Sequence, residues 1–212
     1  MRKALILCIC GLMAIALALV AASCGGGKSA TPLADGQDAA PIQATGKKVL
    51  IVIPQSDFQD KEYTTVHDAL NAAGCQVAVA TRDHAAAVGV SGTSVTPDVL
   101  LGEVKVTDYK AVVFIGGPGA ENLYNLESAR NVAIDAVKEN RVLGAICLAP
   151  VILARAGVLE GRRATVYYSA SRELTKNGAE YTGASVEVDG RIITGNGPEA
   201  SSEFAAAVLS AL

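Results

Sequence analysis

The sequence predicts an α/β domain built on a mainly parallel sheet. Three observations carry this. Apolar runs of strand length alternate with segments of helical periodicity. Two of those runs, Lys48-Val49-Leu50-Ile51-Val52-Ile53 and Ala111-Val112-Val113-Phe114-Ile115, are apolar almost throughout, as strands buried on both faces are. A third, Val142 to Ile146, ends at Cys147 and passes at once into Leu148-Ala149-Pro150, a helix start with proline in its first turn.

The elements follow in order. After the first strand, Glu62 to Ala73 places Tyr63, Val66, His67 and Leu70 at helical spacing, and Gly74 stops the helix. Gln76 to Ala80 is a second strand, and Ala111 to Ile115 a third, running into Gly116-Gly117-Pro118-Gly119. Glu127 to Asn140 is a helix, Val142 to Ile146 a strand, and Pro150 to Ala156 the helix after the cysteine. Val186 to Thr194 is a hairpin around Asp189-Gly190. Ala200 to Leu212 closes the chain as a helix with Phe204, Val208 and Leu212 on one face. There is no internal repeat.

The N-terminal part has a different character. Met1-Arg2-Lys3 is basic, Ala4 to Ala22 is almost wholly apolar, and Ala21-Ala22-Ser23 sets small residues before Cys24. Residues 1–23 therefore read as a lipoprotein-type bacterial signal peptide with Cys24 as the lipidated residue, although Ala21 stands where such signals usually have leucine. An apolar run of nineteen residues also suits an uncleaved membrane anchor. Both alternatives put the domain in the cell envelope, outside the cytoplasm, because Arg2 and Lys3 stay inside. Residues 24–46 are small, polar and aperiodic, a tether reaching roughly 25 Å over about 20 residues. Gly27-Lys28-Ser29 is not a phosphate loop, since Ala22 occupies the first glycine position and no strand precedes it. Residues 47–212 form one domain of ordinary size.

Composition excludes several classes of function. Past the signal, 16 basic residues face 21 acidic ones, with no basic run, so nucleic acid is not an expected partner. With two histidines in the chain, and Cys75 and Cys147 the cysteines beyond Cys24, no metal ligand set and no disulfide framework is indicated. No cofactor motif is present either. Gly116-Gly117-Pro118-Gly119 lacks the further glycine of a dinucleotide fingerprint.

Chemistry is expected at the carboxyl ends of the strands, where ligands bind in such sheets. Three loops meet there: Pro54–Lys61, Gly116–Gly119 and the Cys147 elbow. A thiol between strand and helix is presented to the outside, and helix N–H groups favour its thiolate. A cysteine in an apolar run is also compatible with plain core packing. The backbone N–H groups of Gly116, Gly117 and Leu148 form an oxyanion pocket in this arrangement. Asp57, Asp60 and Glu62 lie at the first loop, and an acid that pairs with the sulfur must be kept neutral. Neither His67 nor His84 adjoins the elbow in sequence, so no histidine base is apparent.

These segments resemble the DJ-1/PfpI family of the class I glutamine-amidotransferase-like superfamily. The resemblance rests on Phe58-Gln59-Asp60-Lys61-Glu62, Ile115-Gly116-Gly117-Pro118-Gly119-Ala120, Ala145-Ile146-Cys147-Leu148-Ala149-Pro150, Ala156 to Thr165 and Ile192-Ile193-Thr194-Gly195-Asn196-Gly197-Pro198. It implies a flavodoxin-like three-layer sandwich with a cysteine nucleophile elbow, often dimeric. It implies Cys147 as the reactive thiol, Glu62 as the acid touching it, and Gly116, Gly117 and Leu148 as backbone donors. Family members include glutathione-independent glyoxalases, deglycases, cysteine peptidases, chaperones and oxidation sensors. The peptidase-like branch carries histidine directly after the cysteine, where this chain has Leu148. Another branch carries histidine in the region of Thr165–Tyr168, where Tyr167 takes its place as a possible auxiliary group.

The expectation is thus a cysteine-dependent enzyme on small reactive carbonyls, lipid-anchored to a membrane and homodimeric. The alternative is a non-catalytic redox-sensing or chaperone-like protein using the same cysteine. An amidase or peptidase comes third, for want of a base.

Overall fold

The computed structural model describes Ala44 and residues 46–212. The expected signal peptide, Cys24 and nearly all of the expected tether lie outside the described residues.

In chain order the elements are β1 (Lys48–Val52), β2 (Ser56–Phe58), α1 (Asp60–Ala72), β3 (Gln76–Thr81), β4 (Ala87–Gly89), β5 (Ser94–Val95), β6 (Val99–Leu100), β7 (Ala111–Phe114), α2 (Glu127–Lys138), β8 (Val142–Ile146), α3 (Pro150–Arg155), β9 (Arg163–Ala164), α4 (Ser171–Lys176), β10 (Glu180–Tyr181), β11 (Val186–Asp189), β12 (Ile192–Gly195) and α5 (Ser201–Ala211). Seven strands form one sheet in the order β11-β12-β8-β7-β1-β3-β6, parallel except for the β11–β12 hairpin. Counted in chain order, its five long parallel strands β3-β1-β7-β8-β12 run 2-1-3-4-5, the flavodoxin-like winding. The strand order reverses between β1 and β7, and a crevice at their carboxyl ends is where such a sheet binds ligands.

The apolar runs are buried on both faces because helices cover both. Alternate residues of β1 serve opposite layers. Leu50 and Val52 pack with Ala129, Val132, Ala133 and Ala136 of α2 and with α3, while Val49 and Ile51 pack with Val66 and Leu70 of α1 and Phe204 and Val208 of α5. Three layers result: α2 and α3, the sheet, and α1 with α5. Two small sheets, β2-β4-β5 and β9-β10, flank them.

The α1 helix starts at Asp60, two residues before its expected start. The Gln59 side chain accepts from Lys61 N–H at 3.4 Å, and the Asp60 carboxylate reaches out to a neighbouring loop, accepting from Ser91 N–H at 2.7 Å and Thr93 N–H at 2.9 Å. Burial opposes ionisation of Asp60, but hydrogen bonds from the Thr93 side chain and these two amides outweigh it and hold the carboxyl at about 2. Asp60 is therefore a fastening of the β4–β5 connection to α1. Asp60→Asn is expected to lower stability at neutral pH by about 2 kcal/mol, since one of the two acceptors becomes a donor facing donors. A folded pKa below the ordinary 3.8 means this contribution is complete above pH 3.8 and disappears as pH falls through about 2. Urea titrations of both proteins at neutral and acid pH measure it.

Candidate active site

The elbow turns on an unusual backbone conformation. Cys147 follows β8 with φ 62°, left-handed and strained for a residue with a side chain. Its N–H donates to the Gly195 carbonyl and its own carbonyl accepts from Tyr167 N–H, both at 2.9 Å. Both ends of the residue are thus held by neighbouring segments. Cys147 retains 6% of its surface, while Ile146 and Ala149 beside it retain none. Cys147 is nearly enclosed.

Two glycines let the loops close around it. A Cβ on Gly116 would lie 2.5 Å from the Cys147 Cβ and 2.9 Å from Leu148 N. Gly117 has φ 99°, and a Cβ there would run into the backbone of Asp57 and Gln59. The Gly116 carbonyl in turn accepts from Gln59 N–H at 3.0 Å, which ties the glycine loop to the start of α1.

That start carries Glu62, fully buried beneath the cysteine. Its Oε2 accepts from Gly116 N–H at 3.1 Å. Its Oε1 is buried and makes no hydrogen bond of regular geometry. The side chain it interacts with is Cys147. Burial pushes Glu62 up to about 7, against the lowering effect of Cys147 and the Gly116 amide. Burial and then the Glu62 charge push the Cys147 thiol up to about 12, although the N–H groups of Gly117 and Leu148 favour the thiolate.

The expected donor set changes accordingly. Gly116 N–H is consumed by Glu62, so the amides directed at the sulfur are those of Gly117 and Leu148. The helix start and the two amides favour the thiolate, while removal from water and the neighbouring carboxyl oppose it. Two negative charges this close repel, so Glu62 and Cys147 share a proton at neutral pH.

The remaining residues fall outside this pair. Tyr167 is half-buried, its ring packed against Gly197 and 4.7 Å from that of Tyr168. The hydroxyl of Tyr168 pushes its phenol up, so Tyr167 offers a proton donor, not a base. Tyr167 and Tyr181 line a cleft of about 360 Å³ with Asn196, Gly197 and Pro198, which adjoins the elbow without including Cys147 in its wall. His67 stacks on Tyr63 at 5.3 Å and contacts Asp68 and Asn71, and His84 is exposed after β3. Nothing in the local sequence singles out Tyr124. It is buried under the Arg155 guanidinium, 5.0 Å above its ring, and its phenol is pushed up by burial, by Glu121 and by Cys147. Cys75 is a free, buried thiol directed at the Ala44 carbonyl. Among the described residues no cluster of three or more His, Cys, Asp or Glu is placed to hold a metal, and no helix is long and apolar enough to cross a membrane.

Comparison with known proteins agrees with this fold. The chain is 38% identical over 168 residues to an uncharacterized protein of Methanocaldococcus jannaschii, covering 78% of this chain and 82% of that one. It is 30% identical to a glutathione-independent glyoxalase of Caenorhabditis elegans, over 80% of this chain and 90% of that one. A deglycase of Pyrococcus horikoshii is 29% identical over 70% of this chain and 90% of its own. The crystal structure of a ThiJ/PfpI domain protein from Brachyspira murdochii superposes with a TM-score of 0.77 at 29% identity, covering 79% of this chain and 96% of that one. Residues 47–211 match the model of the DJ-1/PfpI family, and the chain belongs to that family.

Proposed function

We propose that this protein is a cysteine-dependent enzyme that converts small 2-oxoaldehydes to 2-hydroxy acids without glutathione. The observation that carries the reading is the Glu62–Cys147 pair: a buried carboxyl with one free oxygen and a pKa near neutrality, beside a thiol with two backbone N–H groups directed at it. A glyoxalase among the relatives supports it.

With methylglyoxal the steps balance without cofactor. Sulfur adds to the aldehyde carbon as Glu62 takes the thiol proton and passes it to the aldehyde oxygen, giving a neutral hemithioacetal. The regenerated carboxylate then removes the hydrogen from that carbon. The electron pair moves through the enediol as the hydroxyl proton passes from the first oxygen to the second, and Glu62 returns the abstracted proton to the adjacent carbon. The first carbon leaves this step as a thioester and the second as an alcohol. Water cleaves the thioester, releasing lactate and the thiol. The Gly117 and Leu148 amides stabilise the oxygen on the attacked carbon.

The near-enclosure of Cys147 supports small aldehydes over glycated side chains of folded proteins. The full chain incubated with methylglyoxal, without glutathione, is expected to release one lactate per aldehyde consumed. In deuterated water, part of that lactate should carry deuterium at C2, through exchange on Glu62. Aldehyde loss with no lactate formed would sink the proposal.

A further inference from the structure

The edge of the sheet opposite Cys147 holds a separate constellation. Arg141 immediately precedes β8 and Arg191 immediately precedes β12. Parallel pairing sets Leu143 opposite Ile192, and Leu143 N–H donates to the Arg191 carbonyl at 2.9 Å, so the two arginines emerge side by side. Arg162, on the connection into β9, joins them in the wall of a cavity of about 270 Å³ that also includes Asn140. No carboxylate lines it.

Three arginines lining one cavity favour an anion within it. Asp189 meets only Arg162, at 3.1 Å. Arg191 makes no ion pair among the described residues. Arg141 donates from Nη2 to the Thr107 carbonyl at 3.3 Å and makes no ion pair among the described residues, so its charge is not neutralised within the chain. This convergence occurs in a chain whose net charge is −3, where a general excess of cations does not account for it.

We propose that Arg141, Arg162 and Arg191 form a binding site for a phosphate monoester. The planar forks of arginine match the paired oxygens of a phosphate, and three cations suit a dianion better than a single carboxylate. The cavity shares Val137 and Arg162 with an open groove of about 690 Å³ walled by Ile134, Ala156 and Val158, which takes the organic part of the ester. The five residues of β8 separate the site from Cys147 by roughly 17 Å, so its ligand is not the aldehyde substrate.

Isothermal titration of the full chain with inorganic phosphate and with dihexanoyl phosphatidic acid tests this. Both are expected to bind with dissociation constants below about 1 mM. Arg191→Ala, at a solvent-exposed turn, and Arg141→Gln are each expected to weaken binding about tenfold, with aldehyde turnover unchanged. Tighter binding of the phosphatidic acid identifies a lipid headgroup as the source of the phosphate, and equal binding a soluble ester. Failure of both probes to bind, or binding that Arg191→Ala and Arg141→Gln leave intact, overturns the proposal.

Discussion

Cys147→Ala is expected to remove methylglyoxal turnover, by a factor of about a thousand or more, while the protein stays folded. In the proposed mechanism the chemistry passes through a carbon–sulfur bond, and among the described residues no second cysteine lies at the site. Cys75 is the other free cysteine described, and it is buried against Ala44 at the start of β3. The substitution keeps the Cβ that packs against Gly116 and removes one atom, so stability should change by about 1 kcal/mol or less. Cys75→Ala is the control and should retain full activity. Lactate release by both variants, with urea midpoints, decides the matter. Persistent turnover in Cys147→Ala would place the chemistry elsewhere.

Glu62→Gln should be nearly as damaging to turnover and should at the same time strengthen the fold. Glutamine keeps an acceptor for the Gly116 amide but cannot carry the proton from one carbon to the next, a loss of about a hundred- to ten-thousandfold. The wild-type rate should rise with pH through about 7, as the carboxylate forms, and that ascending limb should vanish in the variant. The stability effect has the opposite sign. A carboxyl raised from 4.5 to about 7 binds its proton more tightly in the folded state than in the unfolded one. Wild-type stability therefore falls as pH climbs from 4.5 to 7, by roughly 3 kcal/mol in all. Glutamine has no such dependence, so the variant's advantage should be absent near pH 4 and full above pH 7. Urea titrations across that window read it directly.

The parallel sheet was legible because its central strands are buried on both faces and therefore carry unbroken apolar runs. The elbow was legible because a strand, a cysteine and a proline-started helix follow without a spacer. What escaped notice was short and local. The strands β4, β5, β6, β9 and β10 are two or three residues long, too short for any period to emerge. The α1 start moved to Asp60 because its carboxylate bonds to amides thirty residues away, a partner no local pattern contains. At the site, the pairing of Glu62 with Cys147 came from the family resemblance. Local sequence left Asp57, Asp60 and Glu62 level. Burial separates them, since Asp57 is exposed with left-handed backbone at an irregularity of β2, Asp60 is tied up, and Glu62 alone lies beneath the sulfur. Tyr124 had no signal at all, because its position depends on how the chain folds back after the glycine loop.

The contact of Gly116 with the Cys147 Cβ has a practical bearing on attempts to enlarge the substrate range. The glycine loop, the elbow and the α1 start interlock through backbone atoms, so a methyl group added at Gly116 or Gly117 displaces all three at once. Trimming or swapping side chains on that side gains no space. The wall formed by Tyr167 and residues 196–198 is built from side chains and a loop, and it borders an existing cleft. Directed variation aimed at bulkier aldehydes belongs there.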